Sequence, residues 1–272
     1  MTLPFQARVA RDLVVVRGPD ATSFLQSLVS QDLDALAVGE GAHSLLLQPQ
    51  GKLAVDFYVV HVEPDAWWCV CEGGFGEALA SGLDRFRIRV DADVQQVAVA
   101  ALAVRGLLPD AAPGVQLVAV EWGAAPAFDA VGPEAAIVAF GDSLDVPVID
   151  DDAYERARIE AGVPRQGFDT DERTIPQEAG LERVAVSFTK GCFVGQELVC
   201  RIDSRGHVNR FLRRLRAPAG GLTRGASVVY EGRAIGEVTS AAGSVALAMI
   251  RREIEPGADV DVGAVTAVVE AL

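Results

Sequence analysis

Lysine is almost absent: of 24 basic residues only Lys52 and Lys190 are lysines. Wherever a generic positive charge would serve, this chain uses arginine. The two lysines either mark places that want a compact, flexible ammonium instead of a planar fork, or are there by chance. Positive charge is short overall, because 38 acidic residues leave a formal net charge of −14. That balance argues against nucleic acid as the main partner. No apolar run reaches the roughly eighteen residues that a membrane-spanning helix needs. Met1 to Arg11 lacks the basic start, long apolar centre and small-residue cleavage site of a secretory signal, so a cytoplasmic protein with no membrane partner is expected. Cysteines number four, at 69, 71, 192 and 200. In a reducing cytosol these read as free thiols. Neither of their spacings is that of zinc ribbons or iron–sulfur clusters, and no resident metal is expected.

What is present is ordinary globular material, half hydrophobic and 23% charged over 272 residues. The length suits one large domain or two to three smaller ones. Asp12 to Arg17 reads as a strand. Gly18-Pro19-Asp20 opens a helix whose apolar face is Ala21, Phe24, Leu25 and Leu28. Ser44 to Gln48 and Leu53 to Val62 form a hairpin around Pro49-Gln50-Gly51-Lys52, Trp67 to Cys71 continues the sheet, and Phe75 to Phe86 follows as a helix. Residues 106–147, rich in Ala, Pro and Gly, show no recognisable chemistry. A helix led by Asp150-Asp151-Asp152 ends near Gly162-Val163-Pro164. Another runs from Gln196 to Arg205, with Leu198, Val199 and Ile202 buried and Gly206 as its stop. From Val208 on, short β-branched runs at 211–215, 227–230, 234–239, 245–250 and 265–269 read as a small β-barrel. The fold class is therefore α+β, with an α+β region over 1–205 (two subdomains, variable over 106–147) and a barrel domain over 206–272.

The chemistry concentrates in Lys190-Gly191-Cys192-Phe193-Val194-Gly195-Gln196-Glu197. Two glycines within five residues signal unusual backbone or close approach to a ligand. Cys192 stands between them, two residues from a lysine and just before a helix N-terminus, and both features favour thiolate over thiol. The alternative for a lone cysteine is a small buried hydrophobe, which is the reading for Cys69, Cys71 and Cys200. Between Arg201 and Arg216 lie six arginines and His207 against one acid, Asp203. This stretch reads either as a receptor for a small polyanionic ligand or as a solvated strand edge guarded by charge.

The eight-residue segment is similar to the signature of the YgfZ-type folate-binding proteins, relatives of the glycine-cleavage T-protein. The resemblance extends through Gly18-Pro19-Asp20-Ala21, Pro49-Gln50-Gly51-Lys52, Arg158 to Pro164 and Ile175-Pro176-Gln177-Glu178. It implies a T-protein-like ring of subdomains around a tetrahydrofolate-binding cleft, and an accessory role in assembling or repairing iron–sulfur cluster proteins, which with their carriers would be the partners. Cys192 and Lys190 would be the reactive centre. Glu178, in a Pro-x-Glu motif, would hold the pterin with both oxygens. Asp56, Gly191, Gln196, Glu197 and Arg201 complete the implied folate-binding set. T-proteins carry paired aspartates near the position of Asp56, and one of them is Val55 here. That departure weakens a second reading, a folate-dependent aminomethyltransferase or demethylase, and leaves enzymatic activity open. A third reading is a non-catalytic folate-binding scaffold.

Overall fold

A computed structural model describes residues 4–272; Met1, Thr2 and Leu3, where the reading for a secretory signal begins, lie outside that range. Two strands open the chain, β1 (Phe5–Val9) and β2 (Arg11–Arg17), and they enter different sheets. β2 joins β3 (Gly41–Leu47), β4 (Leu53–Glu63), β5 (Ala66–Glu72) and β6 (Asp93–Val97) in the order β3-β4-β5-β2-β6. β1 pairs with β7 (Ala100–Arg105), which continues through β9 (Ala127–Gly132) to β8 (Gln116–Ala119). The third unit is a closed six-stranded barrel of β10 (Arg210–Arg216), β11 (Ser227–Tyr230), β12 (Arg233–Ala242), β13 (Val245–Arg251), β14 (Asp259–Val262) and β15 (Val265–Glu270). The helices are α1 (Ala21–Leu28), α2 (Gly76–Asp84), α3 (Glu134–Ser143), α4 (Asp151–Ala161), α5 (Glu182–Ala185) and α6 (Gln196–Arg205).

Local chemistry accounts for the principal elements. α1 buries Ala21, Phe24, Leu25 and Leu28, the face that its spacing announces. In α4 the Asp150 carboxylate accepts from the Ala153 amide at 2.9 Å, and Gly162 closes the helix at φ +73°. β4 alternates buried and half-buried residues from Leu53 to Val59. Val55, Phe57 and Val59 enter the core beneath α1 and α2. Successive strand residues point to opposite faces, so Asp56 and Tyr58 look the other way. On that side Leu13, Val60 and Val70 pack against Ala101, Val118 and Val131 of the four-stranded sheet. A further core joins the hairpin to the barrel, with Leu45, Leu47 and Leu53 against Leu212, Leu247 and Met249.

The structure adds two things that the sequence does not announce and corrects a third. Residues 106–147 hold β8, β9 and α3, regular elements whose Ala- and Gly-rich strands lack the β-branched runs that advertise a sheet. The barrel has a sixth strand, Asp259–Val262, whose alternating acids disguise it. α6 buries only Val199 completely; Leu198 and Ile202 remain half-exposed because the helix packs on one narrow side. No helix among the described residues is long and apolar enough to cross a membrane.

Candidate functional site

A cavity of about 680 Å³ lies where the two sheets, α4 and the segment 162–166 converge. Such a volume falls within the range of small-molecule sites. Its walls mix aromatic rings (Tyr58, Trp122, Tyr154) with charged groups from every quarter. The charges alternate in one continuous chain. Arg105 pairs with Asp129 at 2.7 Å, Asp129 with Arg11 at 2.7 Å, and Arg11 with Glu72 at 2.7 Å. Glu72 then meets Arg165 at 2.7 Å, Arg165 meets Glu155 at 3.8 Å, and Glu155 meets Arg158 at 2.6 Å. Arg158 ends on Asp169 at 2.7 Å and on Ser240 of the barrel at 2.8 Å. Burial alone would raise the Asp129 carboxyl, but the guanidiniums of Arg11 and Arg105 override it and hold it below its ordinary value. Glu155 is depressed in the same way, burial opposing and Arg158 with Arg165 prevailing.

Asp56 is the member of the expected set that lines this cavity. His43 Nε2 lies 2.5 Å from its Oδ1, and the His43 ring stacks on Tyr58 with centroids 4.3 Å apart and planes 17° apart. Asp56 Oδ2 has no protein partner among the described residues. The Tyr58 oxygen accepts from the Glu121 amide at 3.1 Å, and burial pushes its phenol pKa up, which keeps it protonated.

The other expected residues lie elsewhere. Glu178 is buried, and both its oxygens are already held by Arg210, at 2.8 and 3.1 Å, while Oε2 also accepts from the Ile175 amide at 3.0 Å. Only its neighbours Ala179, Gly180 and Leu181 reach the cavity wall. Lys190 is not a free ammonium beside a thiol. Its Nζ donates to the carbonyls of Gln26, Val29 and Gln31 at 2.7, 2.8 and 2.7 Å, tying the motif loop to the C-terminal end of α1. Gly191 and Cys192 are exposed on that loop, and Glu197 and Arg201 are exposed on α6, 4.0 Å apart. Gln196 begins α6, half-buried. The motif and the cavity are thus separate places.

Three of the six arginines in the stretch are already paired with acids, while Arg201 and Arg205 are exposed on α6. Arg210 is bound to Glu178, Arg214 to Glu270, and Arg216 to both Glu160 and Glu270. Arg213 lies 4.7 Å from the Phe211 ring, and burial lowers its pKa. Their acidic partners come from distant parts of the chain, which a local charge count misses. Of the four cysteines, Cys69 and Cys71 are buried, and burial pushes the Cys71 thiol up to about 12. Among the described residues no group of three or more His, Cys, Asp or Glu could hold a metal ion.

Sequence reasoning missed His43, Arg105, Asp129 and Trp122. One signal was there: Asp56 and Tyr58, two residues apart in an apolar strand, had to share a face. His43 became visible only through the β3–β4 register, which sets it opposite Tyr58.

Comparison with known proteins agrees with this architecture. The model of the GCVT N-terminal domain matches residues 12–121. An aminomethyltransferase of Bordetella bronchiseptica is 30% identical over 288 residues, covering 92% of this chain and 77% of that protein. The mitochondrial iron-sulfur cluster assembly factor IBA57 of Homo sapiens is 29% identical over 280 residues, covering 89% of this chain and 76% of that one. The crystal structure of the glycine cleavage system aminomethyltransferase T from Bartonella henselae matches in fold at a TM-score of 0.86, with 20% identity over 99% of this chain and 85% of its own. With the fold matched over nearly the whole chain and a relative 30% identical over most of both chains, this protein belongs to the aminomethyltransferase family of T-protein-like proteins.

Proposed function

We propose that this chain is a tetrahydrofolate-binding accessory protein that supports the assembly or repair of iron–sulfur cluster proteins. The observation that carries the folate half is the cavity, with Asp56 and three aromatic rings in its wall. A pterin is a flat heterocycle edged with amino and ring N–H donors, so it suits an aromatic-walled site with a carboxylate oxygen to spare. The rim arginines Arg8 and Arg183 are held only by surface pairs, with Glu134 and Glu182, and remain exposed enough to meet the carboxylates of a glutamyl tail. The role in iron–sulfur protein maintenance rests on the human relative of that name and on Cys192, exposed on a loop apart from the cavity. In this reading folate binds inside while the thiol meets a protein or its cluster outside.

Relatives named aminomethyltransferase favour the second reading, folate-dependent group transfer. Strand alternation weighs against it. Val55, beside Asp56, is buried in the core under α1 and α2, so the cavity receives a single carboxylate from this pair of positions.

Two measurements test the proposal. Isothermal titration with tetrahydrofolate is expected to give saturable binding; none at millimolar ligand ends the folate reading. Iron–sulfur enzyme activity in a deletion strain is expected to return with the wild-type chain and to stay low with Cys192→Ser. Full rescue by that variant leaves a folate-binding scaffold as the better account.

A further inference from the structure

A carboxylate that must accept from a ligand has to be held in one orientation, and two of this cavity's acids, Glu72 and Glu155, are already spent on arginines. Asp56 is held differently. An ionised carboxylate only accepts, and in that pairing His43 Nε2 is the donor of the 2.5 Å contact. The side chain of His43 is 7% exposed and that of Asp56 14%, so water reaches the carboxylate more than the imidazole. His43 Nδ1 is buried without any hydrogen-bond partner among the described residues. A purely structural buried histidine would be expected to satisfy both nitrogens, because an unmade buried hydrogen bond costs about 1–3 kcal/mol. Here the ring's one polar engagement is Asp56. Its plane is set by the stack on Tyr58, whose oxygen is bound by the Glu121 amide from the connection between β8 and β9.

We infer that His43 is the positioning residue of this cavity: it fixes Oδ1 of Asp56 and leaves Oδ2 as a directed acceptor for an amino or ring N–H group of a bound heterocycle. The folate reading supplies the identity of the heterocycle; the geometry stands apart from it. His43 is the side chain that orients Asp56; position 55, where the family pattern carries a second carboxylate, is here the core residue Val55 on the opposite face of the strand.

The experiment has a ligand-free arm and a ligand arm. Nitrogen-15 spectra of the imidazole in the ligand-free protein are expected to show His43 protonated at Nε2, with that resonance shifting in Asp56→Asn. A proton on Nδ1, or no response to Asp56→Asn, overturns the inference whether or not folate binds. In the second arm tetrahydrofolate is titrated into wild type, His43→Phe, His43→Gln, Asp56→Asn and the double variant His43→Phe with Asp56→Asn. Phenylalanine keeps the stack on Tyr58 but removes the donor, and affinity is expected to fall about ten-fold, the worth of one hydrogen bond to a charged group. Glutamine places an N–H where Nε2 stood and is expected to restore affinity to within about three-fold of wild type. In the Asp56→Asn background His43→Phe is expected to add little, because the two act as a unit. Equal binding by His43→Phe and wild type, or the same ten-fold loss with and without Asp56, makes His43 mere packing. Absence of binding by the wild-type chain sinks the folate reading alone, and the spectra then decide the inference.

Discussion

At the scale of single residues, the scarcity of lysine finds a physical reason at Lys190. Three carbonyl oxygens converge on its ammonium, a geometry that suits three N–H donors and not a planar guanidinium. Burial pulls the Lys190 pKa down to about 8 against the opposing charges of Asp32 and Asp34, which leaves the ammonium mostly protonated at neutral pH. Lys190→Met strips the partners from these carbonyls and is expected to lower stability by at least about 2 kcal/mol in urea unfolding. Lys190→Arg is expected to recover less than half of that loss; full recovery would show that charge alone matters there. Cys192 beside it is exposed, whereas Cys69 and Cys71 are buried with raised pKa values and burial also raises Cys200. Limited alkylation at neutral pH should therefore label Cys192 first in peptide maps. Equal labelling of Cys71 would contradict the burial described here.

At the scale of elements, two sequence motifs turn out to be one contact. The turn between β3 and β4 packs on the start of α6. A Cβ on Gly195 would stand 2.5 Å from the Gln48 carbonyl oxygen, and one on Gly51 would stand 2.6 Å from Leu198 Cβ. Both glycines also have positive φ, +80° and +76°. Gly195→Ala is therefore expected to destabilise by about 1–3 kcal/mol, read as a shift in urea midpoint. Gly191 differs: a Cβ there meets nothing within 4 Å. Gly191→Ala should leave stability within about 0.5 kcal/mol. Loss of iron–sulfur enzyme rescue in that stable variant would mean that a ligand or partner needs the space. Loss of stability instead would mean that the loop is more tightly packed than described. The hairpin, α1, α4 and the glycine stops were legible because periodicity, caps and turn residues are local signals. β7, β8, β9 and β14 were not, since their small or acidic residues become strands only by pairing with distant neighbours.

At the scale of the whole molecule, the alternating chain from Arg105 to Asp169 runs from the four-stranded sheet through the five-stranded sheet and α4 to the barrel. Buried pairs of this kind are costly to break, because the remaining charge stays behind unpaired. Asp129→Asn, which faces both Arg11 and Arg105, is expected to cost about 3–5 kcal/mol. Asp129 and Glu155 have lowered pKa values in the folded chain, so the unfolded chain takes up protons first as pH falls. Their contribution is therefore complete above the ordinary carboxylate range and is lost as pH drops below about 4. Urea midpoints measured against pH should be flat from about 5 to 7 and fall below that range, and Asp129→Asn should flatten the acid limb. An unchanged acid limb in the variant would show that these pairs do not govern acid unfolding.

The sequence by itself determined the α+β class, the terminal barrel, the hairpin and its turn, helix α1, the capped helix α4 and the place of Asp56 on a strand. Each of these is written in the spacing of neighbouring residues. Only the tertiary structure decided which charges are free. It paired Glu178 with Arg210, spent Lys190 on α1 and set the Cys192 loop apart from the cavity. It also brought His43 to Asp56 from the neighbouring strand and assembled a chain of alternating ion pairs from residues as far apart as Arg11 and Asp169. Ion pairs and cavities form between segments that chain order does not relate, and a charge is spent or available only once its partner in space is known.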